Sequence, residues 1–298
     1  MEERPQERDR EHVEEDTGEV DRPAMRRSLD MDSLVRGAIF AAALGLFFLL
    51  ILLPLVSLNQ YAVREGFAVF QDRLKNPDAV GALRLTALIA LAATAVNAVI
   101  GTAMAFLLTR YRFPGRKAIN ALVDIPLAIP TVVTGFALLL MYGPLGPVGR
   151  FLGERNIQLM FSFPGLLLGH VFVTFPFMVR AVGAVLESVP RSGEEAARTL
   201  GAKEWQVFAF VTIPAVKEGI ISGAFLTFSR SLGEFGASIM VSGNLVGRTQ
   251  TGPLYIFSRF NTGDVEGAAA IAILLALASF LILLLLQLVQ SSAMRRVT

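Results

Sequence analysis

Five stretches of this chain carry no formally charged residue: residues 37–58, 85–109, 125–142, 158–179 and 267–292. A helix needs about 20 apolar residues to cross a hydrocarbon core roughly 30 Å thick. A soluble core built from such runs would need amphipathic helices with a polar face, and residues 274–286 have none. The five runs therefore read as membrane spans. A sixth is expected over residues 219–243, although it contains Arg230 and Glu234. The fold class that follows is all-α, a polytopic membrane protein with six transmembrane helices. Composition agrees, since 53% of the 298 residues are hydrophobic and 17% are charged, against about a quarter charged in ordinary soluble domains.

The first 36 residues are of a different kind, with 12 acidic and 7 basic side chains and almost no large apolar residue before Met25. Such a segment cannot bury enough apolar surface to order itself. Residues 1–33 are expected to be a disordered acidic tail, and 34–298 the transmembrane domain. Arg26, Arg27 and Arg36 precede the first span, "RYRFPGRK" (110–117) holds four basic residues and no acid, and Arg295 and Arg296 follow the last span. Basic residues flank spans on the cytoplasmic side. Both termini, 110–117 and 187–218 are thus expected in the cytoplasm, with 59–84, 143–157 and 244–263 outside, in a multi-pass protein of the cell membrane.

Several chemistries are excluded or disfavoured. The chain has no cysteine, which removes disulfides and thiolate sites. His12 and His170 are the only histidines and no pair of carboxylates lies within a span, so catalysis and metal binding are not expected. No G-x-x-x-x-G-K-[ST] loop is present, so ATP phosphates would have to be cradled by another subunit. No nucleic-acid partner is expected. A secondary anion transporter or channel remains a rival class. It would be expected to show ion-coordinating residues or an internal repeat, and no clear repeat is visible.

Between the fourth and fifth runs lies "EEAARTLGAKEWQVFAFVTIP" (194–214), charged and helix-prone. Ser192 and Glu195 have capping-box spacing, and Ala196, Ala197, Arg198 and Leu200 are good helix formers. Gly201 suits the left-handed position just past a helix end. A second helix is expected from Lys203, with Trp205, Phe208 and Val211 as an apolar stripe and Pro214 as a break. A short helix held this way fits either a partner's groove or the lipid surface.

This segment resembles the signature loop of bacterial and archaeal ABC importer permeases: Glu-Ala-Ala, three residues, Gly, nine residues, then hydrophobic, any residue, hydrophobic, Pro. Glu195, Ala196, Ala197, Gly201, Val211, Ile213 and Pro214 match that spacing, with Val211 and Ile213 where Ile and Leu are commoner. The resemblance implies the type I permease fold and a coupling helix, within 187–218, that docks on an ATP-hydrolysing subunit. ATP and Mg would then be held by that partner, with no cofactor bound by this chain. It also implies a second permease subunit, identical or similar, and an extracytoplasmic binding protein.

"LTRYRFPGR" (108–116), "VTFPFMVRAV" (173–182) and "SRSLGEFGASIMVSGN" (229–244) look like the permeases for sulfate, molybdate and related oxyanions. The likeness covers the chain from about Leu34 onward. It implies import of a tetrahedral oxyanion, with sulfate or thiosulfate preferred and molybdate or tungstate as the alternative. Within "SRSLGEFG", Arg230 is expected near the midplane, where a charge normally faces a bundle interior or wet cavity. Glu234 lies one turn on and can pair with it. Arg230 would either add positive potential to an anion path or form a structural lock with Glu234. Ser229 and Ser231, with Ser238, Gly233 and Gly236, would permit close helix contact. Arg180 is expected to snorkel near the cytoplasmic end of its span, His170 to be a hydrogen-bonded packing residue, and Asn97 to tie helices together.

Overall fold

The computed structural model describes residues 22–294; the expectation of a disordered tail falls largely on residues 1–21, outside them. The chain divides into two units, the first ending at Val56 and the second starting at Ser57. In the first, α1 (Arg22–Phe47) leads into a π-helical turn, Phe48–Leu52. Residues 22–33 of the expected tail are therefore helical. The helical path continues as α2 (Leu53–Val63). Pro54 explains the π turn. Its ring would clash with the carbonyl four residues back, and one widened turn relieves that contact.

In the second unit, α3 (Phe67–Lys75) precedes α4 (Pro77–Arg110), whose start is capped by the Asn76 side chain. At 1.5 Å per residue α4 is about 51 Å long, more than a bilayer core requires. The third hydrophobic run is not one helix. It forms α5 (Arg116–Ala128) and α6 (Thr131–Tyr142), bent by 112°. Pro130 is the cause: it has no N–H to give and holds Ile129 extended. A short α7 (Pro147–Gly153) follows, then α8 (Phe163–Ser188). That span ends nine residues later than its charge-free run, because Arg180 is accommodated inside the helix. Pro176 does not break it.

The loop after α8 folds as α9 (Ser192–Thr199), α10 (Glu204–Val207), a second π turn over Phe208–Thr212 and the short α11 (Ile213–Ala215). Pro214 stands behind this π turn as Pro54 does behind the first. It therefore widens the helix, and the break itself falls at Val216, where α12 (Lys217–Leu232) begins at a 72° bend. The fifth span is also discontinuous. Gly233 ends α12, and α13 (Gly236–Val241) resumes after Phe235. α14 (Gly252–Asn261) and α15 (Val265–Met294) complete the chain. Four helical segments are long and apolar enough to cross a membrane, and up to six if each bent pair counts as one span. No strand occurs among the described residues.

α8 is the centre of the second unit and packs on α4, α5, α12 and α13. One core cluster (Leu108, Val123, Met178, Val182, Leu186, Val216) lies toward the end that carries α9 and α10. Another (Ile89, Leu138, Met160, Leu166, Val241) lies toward the opposite end. Thr109 and Arg110 bond to Arg191 and Val189, at 3.2 and 3.0 Å, so residues 110–117 and 187–218 share one end. Arg73 reaches Asp264 at 3.5 Å, and the Gly252 N–H donates to Thr86 at 2.7 Å. The loops around 59–84 and 244–263 therefore meet at the other end. This is the grouping the basic residues suggest.

The half-helices α6 and α13 touch backbone to backbone. A methyl group on Gly135 would stand 2.7 Å from the Cα of Ala237, and one on Gly236 would stand 2.8 Å from the Val132 nitrogen. Gly236 thus gives the expected close contact, whereas Gly233 faces open space. Gly135→Ala is expected to destabilise the protein by about 1–3 kcal/mol through overpacking against rigid backbone. Gly81→Ala, in α4 with nothing within 4 Å, should be neutral or slightly stabilising. Thermal melting of both variants in detergent checks this, and an unchanged midpoint for Gly135→Ala would overturn the close-contact account.

Candidate functional site

α9 starts without the expected capping box, because Ser192 is already inside the helix and Arg191 precedes it with no side-chain cap bond. The C-terminal end is as expected. Gly201 has φ +87°, its N–H donates to the Arg198 carbonyl at 2.9 Å, and the Ala202 N–H donates to Ala197 at 3.0 Å. That pair of bonds is the Schellman closure, which requires a left-handed residue. The next helix starts at Lys203, whose N–H donates to the Gln206 side chain at 2.8 Å. The expected apolar stripe divides. Phe208 packs on Phe106 with ring centroids 4.9 Å apart, and Val207 is buried, whereas Trp205 turns outward beside Phe210. Leu200, at the tip of the turn, is 89% exposed.

Two clasps fix this knob. Arg198 binds Glu204 through two bonds of 2.7 and 3.1 Å across the Gly201 turn. The bond from Arg198 holds the Glu204 carboxyl below the ordinary glutamate range. Burial, with Glu204 alongside, raises the Tyr111 phenol. The second clasp is buried. Arg110, the last residue of α4, donates from Nε to Glu194 at 2.9 Å, with the two side chains 7% and 4% exposed. The same guanidinium donates to the Val189 carbonyl, and the Thr212 hydroxyl lies 3.4 Å from the Glu194 carboxylate. Glu195, Ala196 and Ala197, which carry the sequence resemblance, sit beside this pair with Glu195 exposed. Val211 and Ile213 are half-buried and Pro214 is exposed. Sequence reasoning missed Glu194. The only sequence signal was a doubled glutamate, and spacing alone cannot say which of two neighbours points inward.

The second candidate group lies at the break between α12 and α13. Arg230 and Glu234 form an ion pair at 2.7 Å, with Glu234 fully buried and Arg230 one third exposed. Glu234 is not on the same helix as Arg230, contrary to the expectation of a continuous span. It stands in the break, and its other oxygen accepts from the Ala237 N–H at 2.8 Å. One carboxylate thus balances an arginine and caps the start of α13. His170 of α8 lies between Ser231 and Ser238, at 2.6 and 2.9 Å, and ties both halves of the broken span to the central helix. Thr174 and Asn97 extend this polar seam to α4. Ser229 is placed on α12, and its hydroxyl makes no hydrogen bond among the described residues. Arg180 is exposed and is held by Asp124 and Asn120 of α5, with Nε 2.8 Å from Asp124 Oδ1.

Removing one partner of a buried ion pair costs about 3–5 kcal/mol, while an exposed substitution costs about 0.5 or less. Glu194→Ala should therefore unseat the knob, with faster hydrogen exchange and proteolysis across 190–212, and Glu195→Ala should not. Equal protection in the two variants would rule out the buried clasp. Because the Glu204 pKa is depressed, the contribution of the Arg198 clasp is complete above the ordinary glutamate range and is lost as pH falls through the lower folded value. Exchange at residues 198–206, corrected for its intrinsic rate, should accelerate on acidification below about pH 4. Glu204→Gln should abolish that pH dependence.

Comparison with known proteins places this geometry. The family model described as binding-protein-dependent transport system inner membrane component matches residues 97–296, more than half of the chain. The sulfate transport system permease protein CysT of Escherichia coli is 40% identical over 249 residues, 84% of this chain and 90% of that protein. CysW of Escherichia coli is 41% identical over 241 residues, 80% of this chain and 83% of that one. Sulfate permease 2 of the Chlamydomonas reinhardtii chloroplast is 39% identical, covering 83% and 67%. Among solved structures, a bacterial ABC transporter involved in the import of the acidic polysaccharide alginate superposes with a TM-score of 0.73 at 19% identity, over 92% of this chain and 99% of that one. At that identity the likeness speaks for the fold, the type I ABC importer permease fold. By family match and by identity over most of its length, the chain belongs to the binding-protein-dependent transport system inner membrane components, the permease subunits of ABC importers.

Proposed function

We propose that this chain is the membrane-spanning subunit of an ATP-driven importer that carries a tetrahedral oxyanion, sulfate or thiosulfate, into the cytoplasm. The observation that carries the reading is identity of about 40%, over more than four fifths of the chain, to proteins named as sulfate permeases. The end bearing residues 110–117 and 187–218 faces the cytoplasm, and so do both termini. This orientation rests on the density of arginine and lysine there. ATP and Mg are held by a partner ATPase. A second permease chain, identical or similar, completes the path, and an extracytoplasmic binding protein delivers the anion. The family's own description, binding-protein-dependent, supports that last partner.

The knob is suited to coupling. Leu200 and Trp205 are exposed apolar side chains on a turn whose backbone is closed by Gly201 and clasped on both sides. Such a projection fits a groove on a partner. Behind it, the Arg110–Glu194 pair and the Phe106–Phe208 contact join the knob to α4. A displacement imposed by the ATPase is thus passed to a long helix and not absorbed in a loose loop.

Valine at position 201 has room for its side chain, with nothing within 4 Å, but not the backbone for it. A β-branched residue in the left-handed region is strained. Gly201→Val should reach the membrane in normal amounts and lose at least about tenfold in radiolabelled sulfate uptake by the complete transporter, the effect of about 1.4 kcal/mol at the joint. Undiminished uptake would remove the coupling role of this turn. In wild type, unlabelled sulfate and thiosulfate should compete better than molybdate at equal concentration. The reverse order would move the substrate to molybdate.

A further inference from the structure

A cavity of about 800 Å³ opens between the end of α4, the start of α5 and the end of α8. Arg112, Arg116 and Lys117 line it, with Gly115, Arg180 and Glu187. Arg180 is already balanced by Asp124. Arg112, Arg116, Lys117 and Glu187 form no ion pair among the described residues. Three free cations against one free carboxylate leave the lining with two uncompensated positive charges. The first turn of α5 adds to them. Gly115 precedes it with φ +85° and no side chain caps it, so the positive end of the helix dipole faces the same region.

A topology signal explains why basic residues follow α4. It does not explain their arrangement, because a topology signal asks only for charge in the loop. Here the tight turn at Gly115 folds the loop back, so that residues on both sides of it line one concave surface. Like charges gathered in a concavity with apolar walls such as Ala105, Leu108 and Val179 repel one another and concentrate field. That is unfavourable until an anion enters.

We infer that this cavity is a binding site for a doubly charged tetrahedral oxyanion group at the coupling end of the permease. The charge match is to a dianion, and the donors are guanidinium forks, which pair with two oxygens of sulfate or phosphate at once. The group has two sources, a free oxyanion in solution or the phosphate of an anionic lipid. The first source rests on the oxyanion reading above. The inference itself needs only the cavity.

The test uses the full-length permease with its ATPase in nanodiscs, without binding protein. In discs of neutral phosphatidylcholine, radiolabelled sulfate should bind to the wild type by equilibrium dialysis. Arg112→Gln/Arg116→Gln/Lys117→Gln should weaken that binding at least about tenfold, given the strength of charge-assisted hydrogen bonds. Glu187→Gln should tighten it a few-fold and leaves the basic topology signal intact, so it answers the case in which the triple variant inserts wrongly. If lipid phosphate is the natural occupant, phosphatidylglycerol in the discs should abolish sulfate binding to wild type, and native mass spectrometry should find retained anionic lipid on wild type but not on the triple variant. If the free anion is, sulfate should bind equally in both disc types. Neither sulfate nor lipid distinguishing the variants from wild type would overturn the site. Sulfate uptake by the complete wild-type transporter is measured alongside. Uptake without a cavity effect sinks this inference and spares the function. A cavity effect without uptake does the opposite.

Discussion

In hydrocarbon an interrupted helix must find partners for the backbone groups that the interruption frees. This chain interrupts two of its spans, at Ile129–Pro130 and at Gly233–Phe235, and packs the resulting halves on each other. The contact of α6 with α13 through Gly135 and Gly236 is as close as two backbones approach. Glu234 satisfies the start of α13, and His170 holds Ser231 before the break and Ser238 after it. Without these partners the exposed N–H and carbonyl groups would cost several kcal/mol each. The position of α8 as the central helix follows, since it carries His170 and contacts both α12 and α13.

The end bearing α9 and α10 rests on a different physics. There the helices are short and near water, and α9 has only eight residues. Isolated helices of that length do not hold together in water. The knob is therefore built from tertiary contacts: a buried arginine–glutamate pair, an aromatic contact and a surface clasp. The two clasps differ in weight. The exposed Arg198–Glu204 pair is screened by solvent and fixes local shape, while the buried Arg110–Glu194 pair ties the knob to the membrane helices. Pro214 belongs to the same design. By widening the helix into a π turn over Phe208–Thr212, it turns Thr212 toward Glu194 and leaves Phe210 outside.

What was legible in the sequence was what composition and single-residue geometry encode. Long charge-free runs gave the spans, basic density grouped the loops, and Gly201 announced a left-handed turn. What was illegible depended on tertiary choice. Pro130 is a helix breaker by its chemistry, but the 112° bend needed knowledge of what α6 would pack against. Two glycines in "SLGEFG" could have been packing positions or a helix break. Gly236 is the former, and Gly233 marks the latter. Glu194 and Glu195 are chemically identical, and only the position of Arg110 across 84 residues of chain selects the first. Arg180 was expected at a membrane edge because lone charges usually go there. Its partner, Asp124, sat just before a different run and could not be paired with it by spacing.

Two arginines of the span helices share one feature. Arg230 is balanced by Glu234, and Arg180 by Asp124, each within one ion pair. An arginine paired so closely presents a dipole, whose field falls off faster than that of a free charge. For a chain in the proposed role this has a use. A dianion held by a naked arginine at the centre of a low-dielectric path would bind too tightly to leave, and passage requires sites weak enough to release. If the proposed anion path runs past these arginines, their balance would keep it solvating without making it a trap. The uncompensated cations Arg112, Arg116 and Lys117 line the cavity that Arg180 also lines, at the end of α4. In the proposed orientation, positive potential there would draw an anion along the direction of import, and water at that end would screen it enough for release.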